Sequence, residues 1–336
     1  MRIALDAMGG DHAPREVILG AQLGLSFLGP GDEIVLYGPA ELITAECREL
    51  GVTDARITFE SCTQNIQMDE PPLEALRQKR DSSICRMAVD AEQQRVDALI
   101  SAGNTGAFAA ACQLKIGVIA GVSRPGIAVA IPTFYGPVLV CDVGANVSPK
   151  PRHLHEYARM CRCYARQVLQ VEDPRIGLVS IGEEEVKGNL LVKEARALIK
   201  NDPRLHYAGN MEGRDIFAGL CDVVICDGFV GNVILKLTEG LAEGLFRTIV
   251  HEIKEASPEL TPRFEPIVAN IWKRHDFAEY GGAPLLGVNS IVIICHGRSD
   301  RRAISNAIRV AKEQQRVQLN ELIAEEISQP QPEGAA

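Results

Sequence analysis

The sequence predicts an α/β fold, a mostly parallel sheet with helices on both faces, and three observations carry that prediction. Short apolar runs recur along the 336 residues, nearly every run ends in glycine, aspartate or asparagine, and the segments between them carry helical periodicity. With 46% hydrophobic residues the chain can bury a large core and exceeds the usual size of one compact domain. No internal repeat or clear linker divides it. The expectation is one α/β unit over residues 1–327, continuous or in two lobes around a crevice, followed by a disordered tail at 328–336, "SQPQPEGAA".

Taken in order, "RIALD" is the first strand and stops at "DAMGGDHAP", where an aspartate, two glycines, a second aspartate, a histidine and a proline follow one another. "EIVLYG", "RITFES" and "DALISAGNTG" supply three more strands. The most apolar long window, "GAFAAACQLKIGVIAGV" at 106–122, is broken by Gln113, Lys115 and several glycines, so it reads as a core helix followed by a strand and not as a membrane span. "GIAVAIPT" and "PVLVCDVGAN" follow as strands. A helix over 152–169 is marked by Leu154, Tyr157, Ala158, Cys161, Ala165 and Val168 on one face. After the strand "RIGLVSIGEE", Glu183, Glu184 and Glu185 read as the acidic first turn of a helix. The strand "DVVICDGFVG" leads into a helix from Gly231 to about Lys254, with Ile234, Leu237, Leu241, Leu245 and Ile249 on one stripe. Gly240 and Gly244 would let a second backbone approach it. In "TPRFEPIVANIWKRHDF", residues 261–277, the apolar side chains read first as ordinary core, with a partner subunit, an apolar groove or a membrane surface as the alternatives. "SIVIICHG" is the last strand, and a final helix from about Asp300 buries Ile304, Ala307, Ile308 and Ala311.

A formal net charge of −9 argues against a nucleic-acid binder, since affinity for phosphate backbones needs a basic surface. Local basic patches remain at Arg77/Lys79/Arg80, Lys150/Arg152, Lys273/Arg274 and Arg298/Arg301/Arg302. The opening "MRIALDAMGG" has neither a secretory nor a transit pattern, which gives a cytosolic expectation. Ten cysteines lie scattered without CxxC spacing and read as reduced, mostly packed thiols.

In open α/β sheets ligands gather at the carboxyl ends of strands. Here those ends are small, polar and glycine-rich: "DAMGGDH", "SAGNTG", "DVGAN", "IGEEEVKGN", "CDGFVGN" and "CHGRSD". Such loops around one crevice would offer backbone N–H groups to an anion, and "SAGNTGAFAAA" adds a helix N-terminus, so the ligand expected is phosphate-like. Gly103, Asn104, Thr105 and Gly106 of one loop and Gly144 and Asn146 of another are the expected phosphate or substrate contacts, with Asp6 and His12 at the rim. There is no GxxxxGK[ST] or GxGxxG, which disfavours an ATPase or a dinucleotide enzyme, and no GxSxG elbow. Asp6, Asp11 and His12 have donor chemistry for a metal, but a turn device is the preferred reading and no metal is expected. Lys187 in "EEEVKGN" and Asn232 in "DGFVGNVILK" stand out as a fixed positive charge and an oxyanion donor. A solvated lysine and a helix N-cap are their bland alternatives.

Together "IALDAMGGDHAP", "SAGNTGA", "DVGAN", "SIGEE" with "KGN", "CDGFVGNVILK", "EYGGAPLLGV" and "CHG" resemble the bacterial phosphate acyltransferase family usually called PlsX, in the same order and from Arg2 to about Ile327. The resemblance implies a fold similar to phosphotransacetylases and isocitrate-type dehydrogenases. It also implies transfer of a fatty acyl group from acyl carrier protein to inorganic phosphate, giving acyl phosphate for the first step of phospholipid synthesis. A homodimer with no metal or organic cofactor is implied too. Peripheral membrane contact and a downstream acyl phosphate:glycerol-3-phosphate acyltransferase are further expected associations. The family's proposed catalytic lysine and asparagine match Lys187 and Asn232. A coenzyme A-dependent phosphotransacetylase-like enzyme and a non-catalytic scaffold binding carrier protein or lipid are the alternatives.

Overall fold

In the computed structural model, which describes residues 1–256, 258–274 and 277–329, one sheet runs through the chain. Its strands are β1 (Arg2–Asp6), β2 (Glu33–Gly38), β3 (Ile57–Ser61), β4 (Ala98–Ser101), β5 (Gly126–Thr133), β6 (Gly136–Cys141), β7 (Arg175–Val179), β8 (His206–Met211), β9 (Val223–Ile225), β10 (Ala283–Leu286) and β11 (Ile291–Ile294). They lie in the order β3-β2-β1-β4-β11-β10-β5-β6-β9-β7-β8. The block β3-β2-β1-β4-β11 is parallel throughout, and so is β6-β9-β7-β8. Between them β10 and β5 pair antiparallel with each other and with both blocks. Three successive reversals turn the second block against the first.

The helices are α1 (Arg15–Gly24), α2 (Ala40–Leu50), α3 (Pro72–Gln78), α4 (Ser83–Glu92), α5 (Thr105–Lys115), α6 (Pro151–Gln167), α7 (Leu190–Asn201), α8 (Gly228–Ala256), α9 (Thr261–Arg274), α10 (Arg301–Arg316) and α11 (Leu319–Ser328). The predicted faces of α6 and α10 are the buried ones: Leu154, Tyr157, Ala158, Cys161 and Ala165 of α6, and Ile304, Ala307, Ile308 and Ala311 of α10, are all fully or nearly fully covered. Gly20 and Gly24 let α1 lie directly on α10, because a Cβ at either would come within 2.5 Å of an Ile304 or Ile308 side-chain carbon.

Several local expectations are corrected. The segment 116–122 that follows α5 forms no strand, and Val118 makes only an isolated bridge to Val288 before β5 begins at Gly126. Glu183–Glu185 lie in turns ahead of α7, which instead begins after Asn189, whose side chain accepts the Val192 N–H at 2.9 Å. Helix α11 runs to Ser328, the first residue of the expected tail, and residues 330–336 of that tail lie outside the described ones. Phe264, Ile267 and Ile271 of α9 are exposed and not core, while the side chains of Trp272, Lys273 and Arg274 lie outside the described residues. On the α8 stripe Ile234 is half-buried against the core, while Leu237 at 66%, Leu241, Leu245 at 54% and Ile249 are exposed.

A buried ion network ties α6 to the segment after α7. Asp202, fully covered, accepts from His155 Nε2 at 2.8 Å and twice from the Arg204 guanidinium at 2.7 Å. Those bonds hold its carboxyl well below the usual range despite burial. A carboxylate depressed in the folded state contributes stability above its unfolded pKa and loses it as pH falls through the folded one. The midpoint of thermal unfolding, followed by circular dichroism between pH 6 and pH 3, should therefore fall less steeply in Asp202→Asn than in the parent protein.

Candidate active site

The strand-end loops form two groups, because the blocks they terminate run in opposite directions. The first group lies at the ends of β1 and β4. Asp6, almost fully buried, accepts from Ser101 Oγ at 2.7 Å and from the Met8 N–H at 3.2 Å, while burial pushes its carboxyl up. The Gly103 N–H is occupied by Ser101 Oγ at 3.0 Å. Asn104 caps α5 by accepting the Ala107 N–H at 3.0 Å, and its amide nitrogen donates to the carbonyls of Gln67, Met68 and Glu70 at 3.0–3.2 Å. Thr105 and Gly106 are exposed at the first turn, as are Asp11 and His12 at the rim. Asp6 and Asn104 thus brace the loop from inside, and Thr105 and Gly106 face outward.

The second group lies at the ends of β6, β9 and β7, which are neighbours in the sheet. Asp142 organises it. One of its carboxylate oxygens accepts the N–H groups of Ile127, Gly144 and Ala145 at 3.0–3.2 Å and the other accepts the Asn146 N–H at 2.6 Å. The amides of 144–146, expected to face an anion, are spent on this aspartate. Asn146 is almost fully buried, and its amide nitrogen donates to Pro125 O at 2.7 Å and Tyr157 Oη at 2.8 Å. It anchors the loop. Gly144 alone stays exposed there, with φ at +137°, a conformation natural to glycine.

Helix α8 starts hard against this loop. A Cβ on Gly228 would meet the Asn146 carbonyl oxygen at 2.8 Å, and one on Gly231 would meet that of Asp142 at 1.9 Å. Asp227 supplies the N-terminal cap, accepting the N–H groups of Phe229 and Val230 at 3.0 Å. Asn232 is therefore not the cap but sits a turn inside the helix, half-buried, with its Cβ 4.0 Å from the position a Cβ on Gly144 would take. Its side-chain amide makes no hydrogen bond among the described residues. The loop after β7 carries Lys187, exposed, with its N–H bonded to Glu184 O at 2.9 Å and its stem over Gly182. No carboxylate among the described residues pairs with its ammonium. Ile181, Val186, Leu190 and Phe229 are exposed apolar neighbours of the two residues in sequence.

Along α8, Asn232, Lys236, Glu239 and Glu243 recur at helical spacing. The last two reach the loop after β11: His296 Nε2 lies 4.0 Å from Glu239 and Arg298 Nη1 3.9 Å from Glu243. So α8 links the second loop group to the first block, where Asp11 N–H bonds Gly297 O at 2.7 Å.

Other chemistries find less. Burial pushes the thiols of Cys141 and Cys226 upward, and that of Cys295 to about 12, so none is a ready thiolate. Glu183, Glu212 and Asp215 come close enough to share a cation, but Arg214 already lies among all three. Asp6, Asp11 and His12 form no such group among the described residues. Sequence reasoning missed Asp142, Gly231 and Asp227. The run Asp142-Val143-Gly144-Ala145-Asn146 did carry a signal, since an aspartate that ends a buried strand commonly collects the next few amides.

The model of a family described as fatty acid synthesis protein matches residues 1–322. Phosphate acyltransferases of Desulfitobacterium hafniense and Heliobacterium modesticaldum are 47% and 46% identical to the chain, with 93% of each chain covered. One from Dictyoglomus turgidum is 42% identical over 97% of both. Among solved structures, a phosphotransacetylase from Streptococcus pyogenes aligns with a TM-score of 0.62 at 17% identity over 93% of each chain. The EutD phosphotransacetylase from Staphylococcus aureus gives 0.59 at 13% identity over 94%. At those identities the structural likeness speaks for the fold, and the expected phosphotransacetylase-like architecture is borne out.

Proposed function

This chain belongs to the fatty acid synthesis protein family, the PlsX phosphate acyltransferases, and from that premise we propose that it moves a long-chain fatty acyl group from acyl carrier protein to inorganic phosphate, giving acyl phosphate for phospholipid synthesis. The observation that carries the reading is the pair of uncommitted donors after adjoining strands, the amide of Asn232, whose Cβ lies beside Gly144, and the Lys187 ammonium.

The chemistry asks for little more. Phosphate is an anionic nucleophile at neutral pH, and a thiol with a pKa near ~8.5 leaves without strong acid help. A phosphate oxygen attacks the thioester carbonyl carbon, a tetrahedral oxyanion forms, and the C–S bond breaks with its electron pair leaving on sulfur. Lys187 holds phosphate, Asn232 donates to the oxyanion, and both act by position and charge. Thr105, Gly106 and His12 on the first loop group are the further substrate contacts in this scheme, with Gly103 and Asn104 shaping that loop, Asp6 bracing it, and Gly144 and Asn146 shaping the other. The raised cysteine thiols support direct attack over an acyl-enzyme.

The exposed apolar stripe of α8 supports a homodimer through that helix, and the apolar residues of α9 support peripheral contact with a membrane, where the product is used. No described helix is long and apolar enough to cross a bilayer. The donor is tested by following thiol release with palmitoyl-acyl carrier protein and with palmitoyl-coenzyme A, each with and without phosphate. Phosphate-dependent release from the carrier protein is expected. Release from coenzyme A alone would move the assignment to a coenzyme A-dependent enzyme, and release from neither would leave a scaffold.

A further inference from the structure

We infer that Arg124, Lys150 and Arg152 form the surface on which the acidic acyl carrier protein docks, an inference that rests on the donor proposed above. The chain carries a formal net charge of −9, so an acidic partner meets repulsion over most of it and gains only where the potential is locally positive. Arg298, Arg301 and Arg302 are neutralised by Glu243, Glu16 and Glu279, whereas of Arg77, Lys79 and Arg80 only Lys79 is paired among the described residues, with Glu70. What sets Arg124, Lys150 and Arg152 apart is their place beside the second loop group.

Arg124 and Lys150 are exposed and pair with no carboxylate among the described residues; the Arg124 guanidinium donates instead to neutral Asn146 Oδ1 at 3.3 Å. Arg152 bonds Glu156 at 2.7 Å, a fully buried carboxylate that also takes both donors of Ser123. Three cations thus face solvent against one covered anion. All four charges bear on His153, whose imidazole is pushed down by burial first, with Glu156 opposing and the three cations adding.

The patch stands at the mouth of the second loop group. Antiparallel pairing of β5 with β6 sets Ala128 opposite Cys141, which brings 123–125 beside 142–146, and Asn146 bonds Pro125 across that junction. Helix α6, 17 residues long, begins at Pro151 and turns its positive end to the same place. Val147, exposed at 67%, adds an apolar contact. A carrier seated here delivers its thioester arm past exposed Gly144 to Asn232.

The test uses the full chain with Lys150→Glu and Arg124→Glu made separately, their folding checked by thermal melting, and Lys150→Gln and Arg124→Gln held as gentler variants should a reversal fail to fold. Binding of unacylated carrier protein is measured by fluorescence anisotropy at low and moderate salt, and turnover with its palmitoyl thioester. Expected are a roughly tenfold or larger rise in Kd and KM on charge reversal, kcat within about twofold, and a weaker salt dependence than the parent. Unchanged Kd and KM in the variants, beside a parent that binds and uses the carrier, overturn the docking surface, as does a loss confined to kcat. A parent that neither binds the carrier nor uses its thioester overturns the donor assignment instead.

Discussion

Alanine at position 187 lowers turnover by about 10²–10³-fold, the loss expected when one preorganised electrostatic contact to a developing charge is removed. No described carboxylate depends on the Lys187 ammonium. The residue is exposed, and its stem touches Gly182. Truncation strands no buried partner, so stability should stay within about 0.5 kcal/mol. Steady-state kcat at saturating phosphate and a melting curve check both halves. Arginine at this position keeps charge but spreads it over a planar fork, and partial rescue is expected. A normal rate in the alanine variant removes Lys187 from the scheme.

Gly231→Ala acts through shape. The added Cβ would fall 1.9 Å from the Asp142 carbonyl oxygen and 3.0 Å from Cys226 Sγ. That oxygen cannot give way alone, because the Asp142 carboxylate holds the amides of Ile127, Gly144, Ala145 and Asn146. Helix α8 must move instead, carrying Asn232 off Gly144. Overpacking of this kind costs about 1–3 kcal/mol, against which the better helix propensity of alanine returns at most about 1 kcal/mol. A displacement near 1 Å at a catalytic donor costs on the order of 10²-fold in rate. A lower melting temperature together with that loss of kcat is expected, and unchanged values of both would show that the contact is not as tight as drawn.

The strands were legible because each apolar run ended at a residue that breaks it, and α6 and α10 because their buried faces keep strict helical spacing. β8 was not seen: "HYAGNM" alternates weakly and holds a glycine and an asparagine, so pairing with β7 makes it a strand. β10 has only four residues and follows two glycines at positive φ. The division of the loops into two groups depends on the antiparallel pairings of β10 and β5, contacts between distant segments that leave no local trace in the sequence. Lys187 and Asn232 stood out as polar residues among glycines. The work of Asp142 stayed hidden because a buried aspartate and a solvated one have the same letter, and only the fold shows which amides it gathers. The cap reading of Asn232, the alternative to its role as a donor, gives way for a similar reason, since Asp227 holds the cap position.

In the proposed reaction phosphate attacks a carrier-bound thioester directly. Purified protein mixed with palmitoyl-acyl carrier protein and ³²P-labelled phosphate in a single turnover, then split between acyl phosphate analysis and intact-protein mass spectrometry, tests it. Label entering acyl phosphate at the rate of thiol release, with the protein mass unchanged, is the predicted result; thiol release without labelled acyl phosphate, or palmitate covalently bound to the protein before label appears, would contradict it.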